Sequence, residues 1–168
     1  MYKPLKKEIV SVLVLNQANV LTRVVSLFGR RGFNIDSLTV SATNDPTLSR
    51  ITIVFSATEQ SMQQIITQTE KLEVVKHICI LNREHSLYRE LLLLKVMAEP
   101  QQRAGIKEIV DIFRAKIVDL SRDSMIIELT GTPEKIDGFM DVISEYDVVE
   151  VCRTGITGIE GNTAKKDN

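Results

Sequence analysis

Tryptophan is absent from this 168-residue chain and aromatic residues make up only 5% of it, so aliphatic side chains, not stacked rings, have to fill its core. Cysteine is nearly absent as well. Cys79 and Cys152 stand far apart and outside any CxxC or paired-His motif, which excludes a disulfide framework and a zinc knuckle and predicts buried, reduced thiols. The eight glycines form neither GxGxxG nor GxxxxGKS/T, so nucleotide-binding loops of those types are excluded. Neither sign of charge dominates: 21 basic and 22 acidic residues leave a formal charge of -1, and nucleic acid is not an expected partner. Long apolar runs are missing too. The first, Ile9 to Leu15, stops at Asn16-Gln17, too short for a secretory signal and far too short to span a bilayer; no membrane association is expected, and the compartment expected is the cytoplasm.

What the chain does carry is one pattern written twice. Ile9 to Leu15, rich in β-branched residues, reads as a strand buried on both faces. Asn19 is placed to cap a helix in which Leu21, Val24, Val25 and Phe28 fall at i, i+3, i+4 and i+7 and so face the core, with Gly29 and Gly32 as its stop. Ile35 to Val40 and Ser49 to Phe55 follow as an antiparallel pair joined through Asn44-Asp45-Pro46. A second helix, opened by Thr58 or Ser61 and turning Met62, Ile65 and Ile66 inward, precedes a fourth strand from Val74 to Leu81. The order is βαββαβ.

That order recurs. Leu91 to Met97 is a strand, and Ile106, Ile109, Val110 and Phe113 repeat the first helix at a shift of about 85 residues. Met62, Ile65 and Ile66 align with Ile136, Phe139 and Met140 at a shift of about 74. The shift shrinks where Ile117 to Leu120 turns into Met125 to Leu129 through Arg122-Asp123, a tighter connection than Thr43 to Leu48. The fold class implied is α+β, as two ferredoxin-like βαββαβ units, each an antiparallel sheet with two helices on one face. The other face has to be polar or covered. The division expected is 1–82 for the first unit, 83–89 for a connector, 90–158 for the second unit and 159–168 for a disordered tail.

Chemistry is sparse. A nucleophile with its base, a carboxylate pair or a metal-ligand set is not evident, so no catalytic residue and no metal ligand is assigned. His77 falls in a predicted strand and His85 in the connector, neither read as having a carboxylate or cysteine at ligand spacing. The central strands carry Ser11, Val12, Leu13, Ile51, Thr52 and Ile53 where an RNA-binding version of this fold places stacking aromatics. The feature left is the turn Asn16-Gln17-Ala18-Asn19 between the first strand and helix. Amides at a helix start lack an intrahelical partner and can hold a carboxylate; a plain capped turn accounts for the same residues. Asn34, in Gly32-Phe33-Asn34-Ile35, offers both donor and acceptor, which suits an amino-acid zwitterion, and is equally an ordinary turn residue.

Three stretches carry a resemblance. Leu15-Asn16-Gln17-Ala18-Asn19, the run from Leu27 through Phe28-Gly29-Arg30-Arg31-Gly32-Phe33-Asn34-Ile35-Asp36-Ser37-Leu38-Thr39-Val40, and Asp45-Pro46-Thr47-Leu48-Ser49-Arg50-Ile51-Thr52-Ile53 are similar to the ACT domain of the small, regulatory subunit of acetohydroxyacid synthase, also called acetolactate synthase. Arg89-Glu90-Leu91, Ile112-Phe113-Arg114-Ala115, Val118-Asp119 and Arg153-Thr154-Gly155 extend the resemblance over all but the termini. It implies a noncatalytic subunit without a cofactor of its own. Its partner would be the large catalytic subunit, which holds thiamine diphosphate, Mg2+ and FAD and works in branched-chain amino-acid biosynthesis. The resemblance further implies activation of that subunit, feedback inhibition by valine, and a homodimer through the ACT domain. The effector would lie between Asn16, Asn19 and Val20 of one protomer and Asn34 and Ile35 of its partner.

One position departs from the family, which has Gly where this chain has Asn19; the asparagine side chain takes up room beside the ligand. A stand-alone amino-acid-sensing ACT module is the alternative reading, and it would need a DNA-reading element that the sequence does not display. A small ferredoxin-like enzyme is a third reading without a catalytic set behind it.

Overall fold

A computed structural model describes residues 5–162. Expectations for 1–4, and for 163–168 of the tail, lie outside the described residues. The elements are β1 (Lys6–Leu15), α1 (Val20–Arg30), β2 (Ile35–Ala42), β3 (Leu48–Ala57), α2 (Glu59–Glu70), β4 (Val75–Ile80), β5 (Ser86–Met97), α3 (Arg103–Phe113), β6 (Lys116–Leu120), β7 (Ser124–Gly131), α4 (Pro133–Ile143), β8 (Val148–Arg153) and β9 (Thr157–Glu160). One sheet has the strand order β2-β3-β1-β4; the other has β6-β7-β5-β8, with β9 paired to β5. The βαββαβ order therefore occurs twice, as the two shifts require.

The first unit is organised around β1. Its alternation sends Val10, Val12 and Val14 to one face, where they meet Val20, Val24 and Phe28 of α1, Met62 and Ile65 of α2, and Ile51, Ile53 and Phe55 of β3. Ile9 and Ser11 point to the opposite face and are buried there too. In the second unit Leu92, Leu94 and Val96 of β5 take the places of the three valines, against Ile106, Val110, Ile136, Phe139 and Ile143. The duplication reaches irregularities of the backbone: β1 slips register against β4 between Leu13 and Val14, and β5 slips against β8 between Lys95 and Val96. β2 slips against β3 between Ile35 and Ser37, and β6 against β7 between Ile117 and Asp119. Such bulges re-aim edge strands, and here both copies keep them.

Helix starts explain how the helices are rotated. Thr58 caps α2 by accepting from the Ser61 amide at 3.3 Å, while Ser61 Oγ accepts from the Thr58 amide at 3.0 Å. Thr132 caps α4 in the same way from the Lys135 amide at 3.4 Å, with Pro133 opening the helix. α1 differs. It starts directly after a left-handed Asn19, which turns Val20, Val24 and Phe28 inward and leaves Leu21, expected in the core, 38% exposed. Val24 and Phe28 are inward as expected, and only the first position of the stripe moves, from Leu21 to Val20, because the turn before the helix sets its rotation. In α2 the innermost last-turn position is Thr69, whose hydroxyl donates to Ile65 O at 2.7 Å and so needs no outside partner; α4 has Ile143 there.

Where 159–168 was expected to be disordered, 157–160 is strand β9, and the connector expected over 83–89 is already strand from Ser86. The chain divides into one unit that runs to Tyr88 and resumes at Ile156, and another that is Arg89–Gly155, in place of the expected break after 158. Close backbone approach makes this return possible. A Cβ on Gly158 would come within 2.8 Å of a Leu81 methyl and 3.2 Å of Leu87 O, so glycine lets β9 lie this near its neighbour without displacing either. The Gly161 amide donates to His85 O at 2.6 Å, and Ile156 is buried with Ile9, Val54 and Leu81.

The second unit contains one buried charge. Glu90 is 5% exposed and accepts both Nε (3.0 Å) and Nη2 of Arg153, whose Nη1 reaches Asp137 Oδ1 at 2.7 Å. Removing the guanidinium strands a carboxylate in the core, which costs about 3 kcal/mol. Arg153→Met should lower stability by about that amount in urea unfolding, and Glu90→Gln in the same background should recover part of it. No loss in Arg153→Met would mean that water already satisfies Glu90 without the guanidinium.

Candidate functional site

The turn after β1 is fastened on two sides. The Leu15 amide donates to Val74 O at 2.9 Å, the Asn16 amide to Thr47 O at 2.7 Å, and Asn16 Nδ2 to Pro46 O at 3.0 Å. The β2–β3 turn that receives Asn16 is itself closed by Asp45, whose Oδ1 accepts from the Thr47 amide at 2.9 Å and the Thr47 hydroxyl at 2.6 Å. Those donors, the hydroxyl first, hold the Asp45 carboxyl below the usual carboxylate range.

Asn19 has φ 64 and ψ 2, and its side chain makes no cap hydrogen bond. The side-chain cap expected of it is replaced by a left-handed backbone, which asparagine tolerates better than most L residues. Its carboxamide stays free at the loop mouth. The first amides of α1 have no intrahelical carbonyl and carry the positive end of the helix dipole, a setting that favours a carboxylate. Val20 is buried, so only its backbone can face a ligand there, and its amide points to Gln17 O at a long 3.4 Å.

Asn34 is presented by its neighbours. Phe33 lies edge-on to Phe28 (6.3 Å between centroids) and Phe55 (5.4 Å), and Ile35 packs on the same core, which leaves the intervening Asn34 exposed with Nδ2 donating to Asp36 Oδ1 at 3.1 Å. Of the five residues expected to bind a ligand, Asn16, Asn19 and Asn34 are exposed, Ile35 is half-buried and Val20 is buried. Asn16, Asn19 and Val20 share one turn; Asn34 precedes and Ile35 opens β2, one of the two outer strands of the sheet. A groove of about 350 Å³ begins at Asn19 and follows α1 past Arg23, Leu27 and Arg30 to Leu72.

The corresponding loop of the second unit is built differently. Gln102, before α3, has φ -89 in place of a left-handed turn. Glu99 sits at that helix start, its amide donating to Gln102 Oε1 at 3.2 Å and its carboxylate accepting from Gln101 Nε2 at 2.7 Å. A ligand carboxylate would meet another carboxylate there.

A second cluster lies on the face of the first sheet away from the helices. His77, Cys79 and Glu160 place one ligand atom each within 4.8 Å of one another. This corrects the reading that His77 has no cysteine at ligand spacing: two residues along a strand return to the same face, and Glu160 arrives on β9. The signal His-x-Cys was there to be read; the carboxylate was not, because it comes from the stretch read as a tail. Burial pushes the Cys79 thiol up, Glu160 adds to this, and Arg50 and Ser11 act in the opposite sense. Among the described residues no helix is long and apolar enough to cross a membrane.

Two ferredoxin-like units, the first with an ACT-type strand–helix loop, define a protein of the ACT-domain class. Comparison with known proteins is more specific: residues 10–77 match the family model of the acetohydroxyacid synthase small-subunit-like ACT domain, and 89–162 match that of the small subunit of acetolactate synthase. A probable acetolactate synthase small subunit of Archaeoglobus fulgidus is 47% identical over 158 residues, covering 93% of this chain and 98% of the relative. The acetolactate synthase small subunit of Mycolicibacterium smegmatis is 45% identical, covering 89% of this chain and 88% of its own. The crystal structure of the acetolactate synthase small subunit from Thermotoga maritima superposes with a TM-score of 0.86 at 37% identity, over 92% of this chain and 97% of that one. The chain belongs to the family of acetolactate synthase small subunits, and membership implies a large catalytic subunit as partner.

The Asp45 turn makes the loop anchor sensitive to acid. A carboxyl held low in the folded state contributes above its unfolded range, and that contribution disappears as pH falls through the lowered value. Hydrogen-exchange protection of the Asn16 amide should therefore drop on acidification below the ordinary carboxylate range. It should already be weaker at neutral pH in Asp45→Ala, by roughly three- to tenfold. Equal protection in the variant would show that the anchor does not depend on Asp45.

Proposed function

We propose that this chain binds and activates the thiamine-diphosphate-dependent large subunit of acetolactate synthase and confers feedback inhibition by valine. Thiamine diphosphate, Mg2+ and FAD belong to the large subunit in this reading; the small subunit contributes no reacting group. The observation that carries the effector half of the proposal is the left-handed Asn19 turn with helix-start amides that lack an intrahelical carbonyl, present before α1 and replaced by Glu99 and a right-handed Gln102 before α3.

The free outer position of β2 supports pairing of two ACT domains edge to edge, which would bring the partner's Asn34 and Ile35 towards the Asn16–Val20 turn. Energies suit a metabolite sensor. Burying a valine side chain contributes roughly 1.5–3 kcal/mol, and charge-assisted bonds from loop amides to its carboxylate roughly 1.5–3 kcal/mol each. Less the entropy of association, this leaves micromolar to millimolar affinity. Because the ligand touches two protomers, it acts on dimer geometry, and coupling of about 1–3 kcal/mol to the large subunit suffices for inhibition.

Reconstitution tests the proposal. Adding this chain to the cognate large subunit should raise acetolactate formation, and valine should lower the raised rate; valine binding with no stimulation would instead favour the stand-alone sensor, and neither effect would reject both. Asn19→Gly separates ligand room from fold. It relieves left-handed strain of about 1–2 kcal/mol and adds unfolded-state entropy of about 0.5–1 kcal/mol, so stability should rise by no more than about 1.5 kcal/mol. Valine binding by calorimetry should tighten roughly three- to tenfold if the carboxamide crowds the ligand, whereas weaker binding would make Asn19 a ligand contact.

A further inference from the structure

The face of the first sheet opposite its helices is mostly polar, and one corner of it is organised. Pairing across the sheet places Cys79 directly opposite Ser11, and Ser11 opposite Thr52; His77 lies opposite Leu13, and Leu13 opposite Arg50. Ser11 and Thr52 are buried although nothing in the helical core requires a polar side chain there. Arg50 Nη1 donates to Ser11 Oγ at 2.7 Å. That bond occupies an acceptor site of the hydroxyl and leaves its proton for Cys79 Sγ. On the other side of Cys79 lies the dry patch of Ile9, Val54, Leu81 and Ile156. The sulfur therefore has a polar flank that can carry a thiolate and an apolar flank that excludes water.

β9 completes this corner. Gly158 allows the strand its close approach, the Gly161 amide is bound to His85 O, and between them Glu160 comes to the edge where His77 and Cys79 stand. From this arrangement we propose that His77, Cys79 and Glu160 form a binding site for one borderline transition-metal ion, with Zn2+ the best match.

The donor set decides the class of ion. A thiolate and an imidazole with one carboxylate select Zn2+, Co2+ or Cu ions over Mg2+ and Ca2+, which take oxygen ligands. Tetrahedral Zn2+ with bonds of about 2.0–2.3 Å brings its ligand atoms to about 3.3–3.8 Å from each other. The three atoms here lie within 4.8 Å, so side-chain rotation of about an ångström closes the site. His77 and Glu160 are exposed and free to make that movement, whereas Cys79 is half-buried and held. Thiolate, carboxylate and dication sum to zero charge. Ser11 and Arg50 supply the outer hydrogen bonds that such sites use to orient a ligand. Three protein ligands leave the fourth position to water or to a group from outside.

Such an ion would tie β9 to β4, closing the first unit where the chain returns to it, and would raise its stability by mass action. The test uses the full chain alone, stripped with a chelator and kept reduced by a phosphine, so its outcome is independent of large-subunit activation or valine binding. Zn2+ titrated calorimetrically should bind at one ion per chain while Mg2+ does not. Co2+ should give a sulfur-to-metal charge-transfer band, and Zn2+ should raise the melting temperature. Cys79→Ser should abolish the Co2+ charge-transfer band. His77→Gln and Glu160→Gln should each weaken Zn2+ binding about tenfold or more, and Cys152→Ser should change nothing. Glu160 is exposed, so its variant keeps the test valid if Cys79→Ser proves unstable. Absence of Zn2+ binding to the wild-type chain, or binding and spectra that survive Cys79→Ser and Glu160→Gln, would overturn the proposal.

Discussion

Burial of β1 on both faces is the constraint on which the first unit depends. Val10, Val12 and Val14 require two helices over one side, and removing each such side chain from water contributes roughly 1.5–3 kcal/mol. Ile9 and Ser11 impose a demand on the other side that no helix answers. Two different devices meet it. Ile9 is covered by the returning chain at Ile156, while Ser11 is satisfied by Arg50. Polar and covered were the two choices open to this face, and the protein uses one for each half of it.

The loops proposed to hold the effector follow from the same frame. β1 ends where the β2–β3 turn reaches it, so Asn16 finds Pro46 and Thr47 within bonding distance, and the left-handed Asn19 then starts α1 with its amides facing outward. Phe33 and Ile35, drawn into the core beside Phe28 and Phe55, fix Asn34 at the surface between them. Packing of apolar neighbours, not polar attraction, thus positions the polar residues.

Duplication shows which features the fold itself needs. Both copies keep the three inward residues of the central strand, the threonine caps and the bulges, because each serves packing or backbone pairing. They differ at the turn before the first helix of each unit. A left-handed Asn19 in one becomes Glu99 and a right-handed Gln102 in the other, and the second unit adds its own buried ion pair between Glu90 and Arg153. Divergence at a loop on a retained frame is how like units come to differ in what they can bind.

Periodicity alone determined the element order, the fold class and most of the core, since alternation and the 3.6-residue repeat are local properties and the repeat of the whole pattern tests them internally. The turn residues Asn16, Asn19 and Asn34 were legible for the same reason, being bound to element ends. Only the tertiary structure decided the rest. Val20 displaces Leu21 from the core because a backbone dihedral, not the apolar pattern, sets the rotation of α1. Ile156 and Gly158 bring a nominal tail back as β9, and this places Glu160 beside His77 and Cys79. Contacts between residues some eighty positions apart depend on where strands are laid in space, and no local period encodes that.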